Sequence, residues 1–157
     1  MFGRYRGLSD EGVLGLNKRN GDYILRFNPR RLYPLVDDKL KTKRLALAAG
    51  IAVPQLYGVI ETQHDIRRLP EIVKDHPEFA VKPGHGSAGD GIVVISGRSS
   101  QRYRTISGTL LDDDFLYHHL SNAINGQFSL GGVQDVVIVE YMVRFAHGKN
   151  AAIGFHD

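Results

Sequence analysis

Four glycines fall within eight residues, Gly84-His85-Gly86-Ser87-Ala88-Gly89-Asp90-Gly91, directly behind the run Phe79-Ala80-Val81-Lys82-Pro83. A second apolar run, Ile92-Val93-Val94-Ile95, begins at once. Both runs are short, the second is β-branched, and neither is long enough for a helix. The pattern predicts two strands joined by a glycine hairpin. Glycines accept φ > 0 and let the backbone approach a ligand closely. Consecutive N–H groups can surround an anion, and a lysine at the mouth of such a loop suits phosphate as a point charge.

The order of elements decides which phosphate site this could be. Residues 84–89 satisfy the dinucleotide fingerprint literally, but that motif needs a helix behind its glycines. A Walker A loop carries its lysine after the glycines. A kinase-type loop covers phosphates from a hairpin, with its lysine on the following strand. What remains is a nucleotide-covering hairpin with Lys82 on the incoming strand, or a flexible hairpin with no ligand at all.

A chain of 157 residues can bury a real core. No run approaches the ~20 apolar residues of a membrane span. The start, Met1-Phe2-Gly3-Arg4-Tyr5-Arg6, lacks the apolar centre of a signal peptide. Without cysteine there are no disulfides and no thiolate metal sites. These features fit a cytoplasmic protein. Residues 1–44 hold eleven Lys/Arg against five Asp/Glu, and the rest holds nine against twelve. The basic segment reads as a solvated face beside a polyphosphate pocket. Nucleic-acid binding is the weaker alternative, since no recognised motif accompanies the charge.

Along the chain, Ser9-Asp10-Glu11 predicts a short helix through Leu16, ended by Asn20-Gly21. Residues 23–27 read as a strand. Asp37 or Asp38 caps a helix to Ala49 with Leu40, Leu45, Ala48 and Ala49 on its inner face, and Gly50 stops it. A strand over 55–60 and a helix over 65–74, broken or restarted at Pro70, precede the lysine strand. Residues 102–110 form a further strand. Asp112-Asp113-Asp114 opens a helix that runs to Asn125-Gly126, and residues 135–140 form a buried strand.

The succession Asp-Lys-x-x-Thr-Lys, Ala-Gly-Ile-Ala-Val-Pro, a strand ending Val-Lys-Pro, a glycine hairpin, a helix, and a strand ending Val-Glu-Tyr-Met-Val resembles the ATP-grasp superfamily. Within it the chain is similar to the alpha-L-glutamate ligase-like branch, related to ribosomal-protein glutamate ligases. The resemblance covers about residues 37–147. It implies an α+β fold of ATP-grasp nucleotide-binding lobes. It also implies an ATP-dependent ligase that activates a carboxylate as an acyl phosphate for attack by an amine. A non-catalytic nucleotide-binding or regulatory module is the alternative.

On that resemblance the chain divides into an N-terminal extension (1–36), a helix–strand–helix segment (37–75), a glycine-hairpin lobe with an adenine hinge (76–147), and the start of a C-terminal lobe (148–157). Lys82 sits on the phosphate side of ATP, and Gly84, Gly86, Ser87, Gly89 and Gly91 form the loop that closes over it. Lys39 corresponds to the second phosphate lysine, with Lys43 one helical turn on as the alternative. Glu140, Tyr141, Met142 and Val143 form the adenine hinge. His147 stands where relatives often place an acid on the ribose. The family's Mg²⁺ ligands are acidic or Asn residues on later strands, so the resemblance predicts no metal ligand here and no turnover by residues 1–157 alone. The remaining histidines lack metal-ligand spacing.

Overall fold

In the computed structural model, residues 8, 10–99, 102–129 and 131–144 are described. His147 and the segment 148–157 lie outside them. The chain divides into two units, residues 1–42 and 43–157.

In the first unit the described regular elements are helical. An α-helical turn, α1 (Leu16–Lys18), runs directly into a π-helical stretch, Arg19–Leu25. A 3₁₀ turn (Arg30–Leu32) and a short helix, α2 (Pro34–Asp37), follow. Two expectations fail here. Asn20-Gly21 does not end a helix, and residues 23–27 are not a strand. A five-residue apolar run cannot by itself distinguish the two states. Local bonds such as Asn28 N–H to the Ile24 carbonyl, 2.9 Å, settle it as helix.

Helix α3 (Lys39–Ala48) contains the boundary between the units. Asp38 is its cap, with Oδ1 accepting from the Lys41 N–H at 2.9 Å. Gly50 ends it as expected, in a Schellman pattern: Gly50 N–H to Leu47 O and Ile51 N–H to Ala46 O. The inner face is not as expected. Leu40 is buried, but Leu45, Ala48 and Ala49 are exposed, and the buried residue of the middle turn is Lys43. Apolar spacing misassigned the face because an ion pair, not a methyl cluster, occupies it.

Among the described residues, the second unit is a six-stranded antiparallel sheet with helices. Its strands are β1 (Leu56–Ile60), β2 (Phe79–Pro83), β3 (Val93–Ser99), β4 (Arg102–Thr105), β5 (Leu110–Leu111) and β6 (Val137–Glu140), in the spatial order β1-β6-β2-β3-β4-β5. Residues 102–110 are two strands rather than one, because Ile106-Ser107-Gly108 turns the chain between Thr105 and Thr109. The expected helix over 65–74 is a 3₁₀ turn (His64–Arg68) followed by α4 (Leu69–Ile72), with Pro70 at the restart.

Helix α5 (Asp113–Ile124) opens at Asp112, whose carboxylate accepts from the Phe115 N–H at 2.8 Å. It closes at Gly126, with Gly126 N–H to Ala123 O and Gln127 N–H to Asn122 O. Gly126 has φ +85° and lies against the Val133 carbonyl, so a side chain there meets backbone. Leu116, Leu120, Ala123 and Ile124 of α5 join Ile66, Leu69 and Val73 in a core with Phe79, Val81, Ile95, Tyr103, Val137 and Val139 of the sheet.

Alternation along the strands then fixes the second face. If Val81, Val137 and Val139 face that core, then Ala80, Lys82, Ile138 and Glu140 face the other way. Strand β6 lies between β1 and β2 in the sheet and every one of its residues is buried, so residues of both faces are out of water and the strand reads as an unbroken apolar run.

Candidate functional site

The register of β2 on β6 pairs Ala80 with Glu140 and Lys82 with Ile138. Lys82 and Glu140 are thus diagonal neighbours on one face, within reach of long side chains. Lys82 Nζ lies 2.5 Å from Glu140 Oε1, and Lys43 Nζ lies 2.6 Å from Glu140 Oε2. Lys43 also donates to the Pro54 carbonyl at 2.5 Å. The Glu140 and Lys43 side chains are 5% and 8% exposed, whereas that of Lys82 is 28% exposed.

Two ammonium groups on one carboxylate leave a net positive charge at the sheet face. A buried ion pair repays its desolvation only when its hydrogen bonds are well made, and both Glu140 oxygens are engaged. Lys82 is the accessible member. It can exchange its carboxylate for an anion while Lys43 keeps Glu140 paired.

The loop beyond Lys82 is firm at its base and open at its tip. Gly84 N–H donates to the Val136 carbonyl at 2.9 Å, and Gly86 bridges to Ser129. Ser87, Ala88, Gly89 and Asp90 are exposed. Two turns shape the tip: Asp90 N–H to Ser87 O at 2.9 Å and Ile92 N–H to Gly89 O at 3.2 Å. At the outgoing end, His119 Nε2 is 2.9 Å from the Gly91 carbonyl. A carbonyl only accepts, so this nitrogen carries the proton. The imidazole stacks on Phe128. Gly91 has φ +72°, and a Cβ there comes within 2.5 Å of the Phe128 ring and 2.7 Å of Pro83. No residue but glycine fits without displacing that packing.

The base of the loop is held by Asp135, a residue whose role sequence reasoning missed. It is 3% exposed. Its Oδ1 is 2.7 Å from His85 Nδ1 and accepts from the Val136 N–H at 2.7 Å. Its Oδ2 accepts from the His85 N–H at 2.9 Å and from the Ser129 hydroxyl. Burial works to raise its pKa, but the hydrogen bonds from Ser129, His85 and Val136 outweigh that and hold it below the ordinary carboxylate value. An ionised carboxylate only accepts, so His85 Nδ1 bears the proton. The one sequence signal for this was a lone acid at the head of an apolar strand.

Among the other expected residues, Tyr141 and Val143 are exposed and Met142 is buried, directly after Glu140. Tyr141 N–H donates to the Gln55 carbonyl at 2.8 Å. Lys39 is half-buried at the start of α3, in the first unit. Among the described residues, no group of three or more His, Cys, Asp or Glu could hold a metal ion. Asp112, Asp113 and Asp114 form a helix start. Among the same residues, no helix is long and apolar enough to cross a membrane.

An antiparallel sheet whose glycine hairpin follows a lysine strand, with that lysine on a glutamate of the neighbouring strand, fits the layout of an ATP-grasp domain. The chain belongs to the sugar-transfer associated ATP-grasp family, which matches it over residues 18–151. It is therefore an ATP-grasp, ATP-binding domain. Neither curated proteins nor solved structures yield a match.

Proposed function

We propose that this chain holds ATP across the β2–β6 face. On this reading the triphosphate lies at Lys82 under the loop of Gly84, Gly86, Ser87, Gly89 and Gly91, and the adenine lies against Glu140, Tyr141, Met142 and Val143. The observation that carries the reading is the Lys82–Glu140–Lys43 triad at the foot of the glycine loop. It is a pre-formed cationic site with one accessible ammonium. A polyphosphate takes Lys82, while Lys43 prevents Glu140 from being left as an unpaired buried charge. The exposed loop tip supplies backbone N–H groups to the same anion.

The chemistry we assign is that of a carboxylate–amine ligase. ATP supplies the phosphoryl group that converts a carboxylate into an acyl phosphate. This chain's own part is to bind, orient and neutralise charge. The resemblance to glutamate ligase-like enzymes supports ligation as the reaction. The family's description adds an association with sugar transfer, which we carry over as the setting of the reaction. Lys39 and His147 remain candidates for further phosphate and ribose contacts. Mg²⁺ is expected with the nucleotide, since phosphoryl transfer depends on it.

Calorimetric titration of the 157-residue chain with ATP, with and without Mg²⁺, and with adenosine tests the proposal. Saturable ATP binding tighter than adenosine binding is expected. Absence of saturable ATP binding would sink it.

A further inference from the structure

Asp135 is a fully buried acid that takes no part in the triad, yet every acceptor position it has is used. Of its four donors, two come from one residue, His85, through the backbone N–H and Nδ1. A third is the hydroxyl of Ser129, whose backbone also bridges to Gly86. The fourth is the N–H of Val136, whose carbonyl accepts from Gly84. The partners thus cover Gly84, His85 and Gly86, the first three residues of the loop.

Asp135 also stands two residues before β6, the strand that ends at Glu140. Its own N–H donates to the Ile124 carbonyl at 2.9 Å, at the end of α5. One continuous segment therefore carries the loop's anchor just before β6 and the hinge glutamate at the end of β6.

We propose that Asp135 is a positioning residue for the phosphate loop, fixing Gly84, His85 and Gly86 against the hinge strand so that triphosphate affinity depends on its two oxygens while adenosine affinity does not. The proposal rests on the ATP reading above. A Ser-His-Asp catalytic role does not fit, because Ser129 donates to Asp135 and is itself buried. A purely structural role is the competing explanation. It predicts that both ligands weaken together.

Asparagine is the sharpest substitution, because it keeps the shape. Whichever way its amide is turned, one backbone N–H, that of Val136 or that of His85, faces an NH₂ group. The loop base then loses a bond that neither tautomerism nor hydroxyl rotation can restore.

The experiment titrates ATP and adenosine against the full chain, Asp135→Asn and Ser129→Ala, with amide hydrogen exchange of His85 and Val136 alongside. For Asp135→Asn we expect ATP affinity to fall about tenfold, as loss of one charged hydrogen bond implies. Adenosine affinity stays within about twofold, and exchange at one of the two amides quickens. Ser129→Ala, which removes one donor and leaves the backbone bridge, lowers ATP affinity by a smaller factor in the same direction.

Equal losses for ATP and adenosine, or no loss of ATP affinity, overturn the proposal. Should Asp135→Asn fail to fold, unchanged ATP affinity in Ser129→Ala overturns it. A wild-type chain that binds no ATP instead overturns the underlying ATP reading, and is told apart because the variants then have nothing to lose.

Discussion

Lys82 and Gly91 show how much a single residue can carry here. Lys82→Ala removes one ammonium from Glu140 but leaves Lys43 in place, so no buried charge is stranded. The fold should therefore hold. ATP binding should weaken by about 1.5–3 kcal/mol, the worth of a charge-assisted hydrogen bond, with adenosine binding spared. Lys41→Ala, exposed on α3, should stay within about ±0.5 kcal/mol. Equal ATP affinity in wild type and Lys82→Ala removes that lysine from the site. Gly91→Ala combines a left-handed backbone with a clash on Phe128 and Pro83. It should cost about 1–3 kcal/mol from overpacking alone. Gly89→Ala has nothing within 4 Å of its Cβ and bears only the conformational strain of φ +85°. Urea denaturation of the two variants should rank Gly91→Ala clearly below Gly89→Ala.

Helices α3 and α5 differ in how apolar character relates to burial. In α5 the apolar positions face the core: Leu116 and Leu120, one turn apart, are fully buried. Leu120→Ala should destabilise by about 2–5 kcal/mol, the range for a core leucine. In α3, Leu45 is 48% exposed while Lys43 is 7% exposed. Leu45→Ala should be close to neutral, within about ±0.5 kcal/mol. Thermal or denaturant midpoints for the pair separate the two readings of α3. A large loss in Leu45→Ala would restore the inner face that apolar spacing suggests. The glycine hairpin, by contrast, was legible as an element, because strand length and β-branching leave few alternatives for residues 79–95.

At the scale of the molecule, two buried groups set opposite limits on pH. Asp135 is held below its ordinary pKa, so its share of stability is present above 3.8 and is lost as pH falls through the lower folded value. Tyr103 is pushed up to about 12 by burial, and then by the charge of Asp113, with Arg98 opposing. Its share is fully present below pH 10 and is lost as pH rises through about 12. Tyr103→Phe should flatten that alkaline decline, read as denaturant midpoints between pH 9 and 12. An unchanged slope would mean that the phenol is not the group responsible.

The sequence alone determined helices α3 and α5 with their stops at Gly50 and Gly126, the opening of α5 at the Asp112-Asp113-Asp114 run, and the strands on either side of the glycine hairpin. Each of these is a local property: propensity, capping and backbone freedom act within a few residues. It also singled out Lys82 and Glu140, 58 positions apart, through the resemblance rather than through any local rule. Only the tertiary structure decided that Lys43 is buried against Glu140, that Asp135 reaches back 50 residues to hold His85, and that the run at residues 23–27 is helical. Burial of a charge depends on which partner the fold brings opposite it. A short apolar run becomes a strand only where another strand is there to bond it. Neither condition is written in the spacing of the residues themselves.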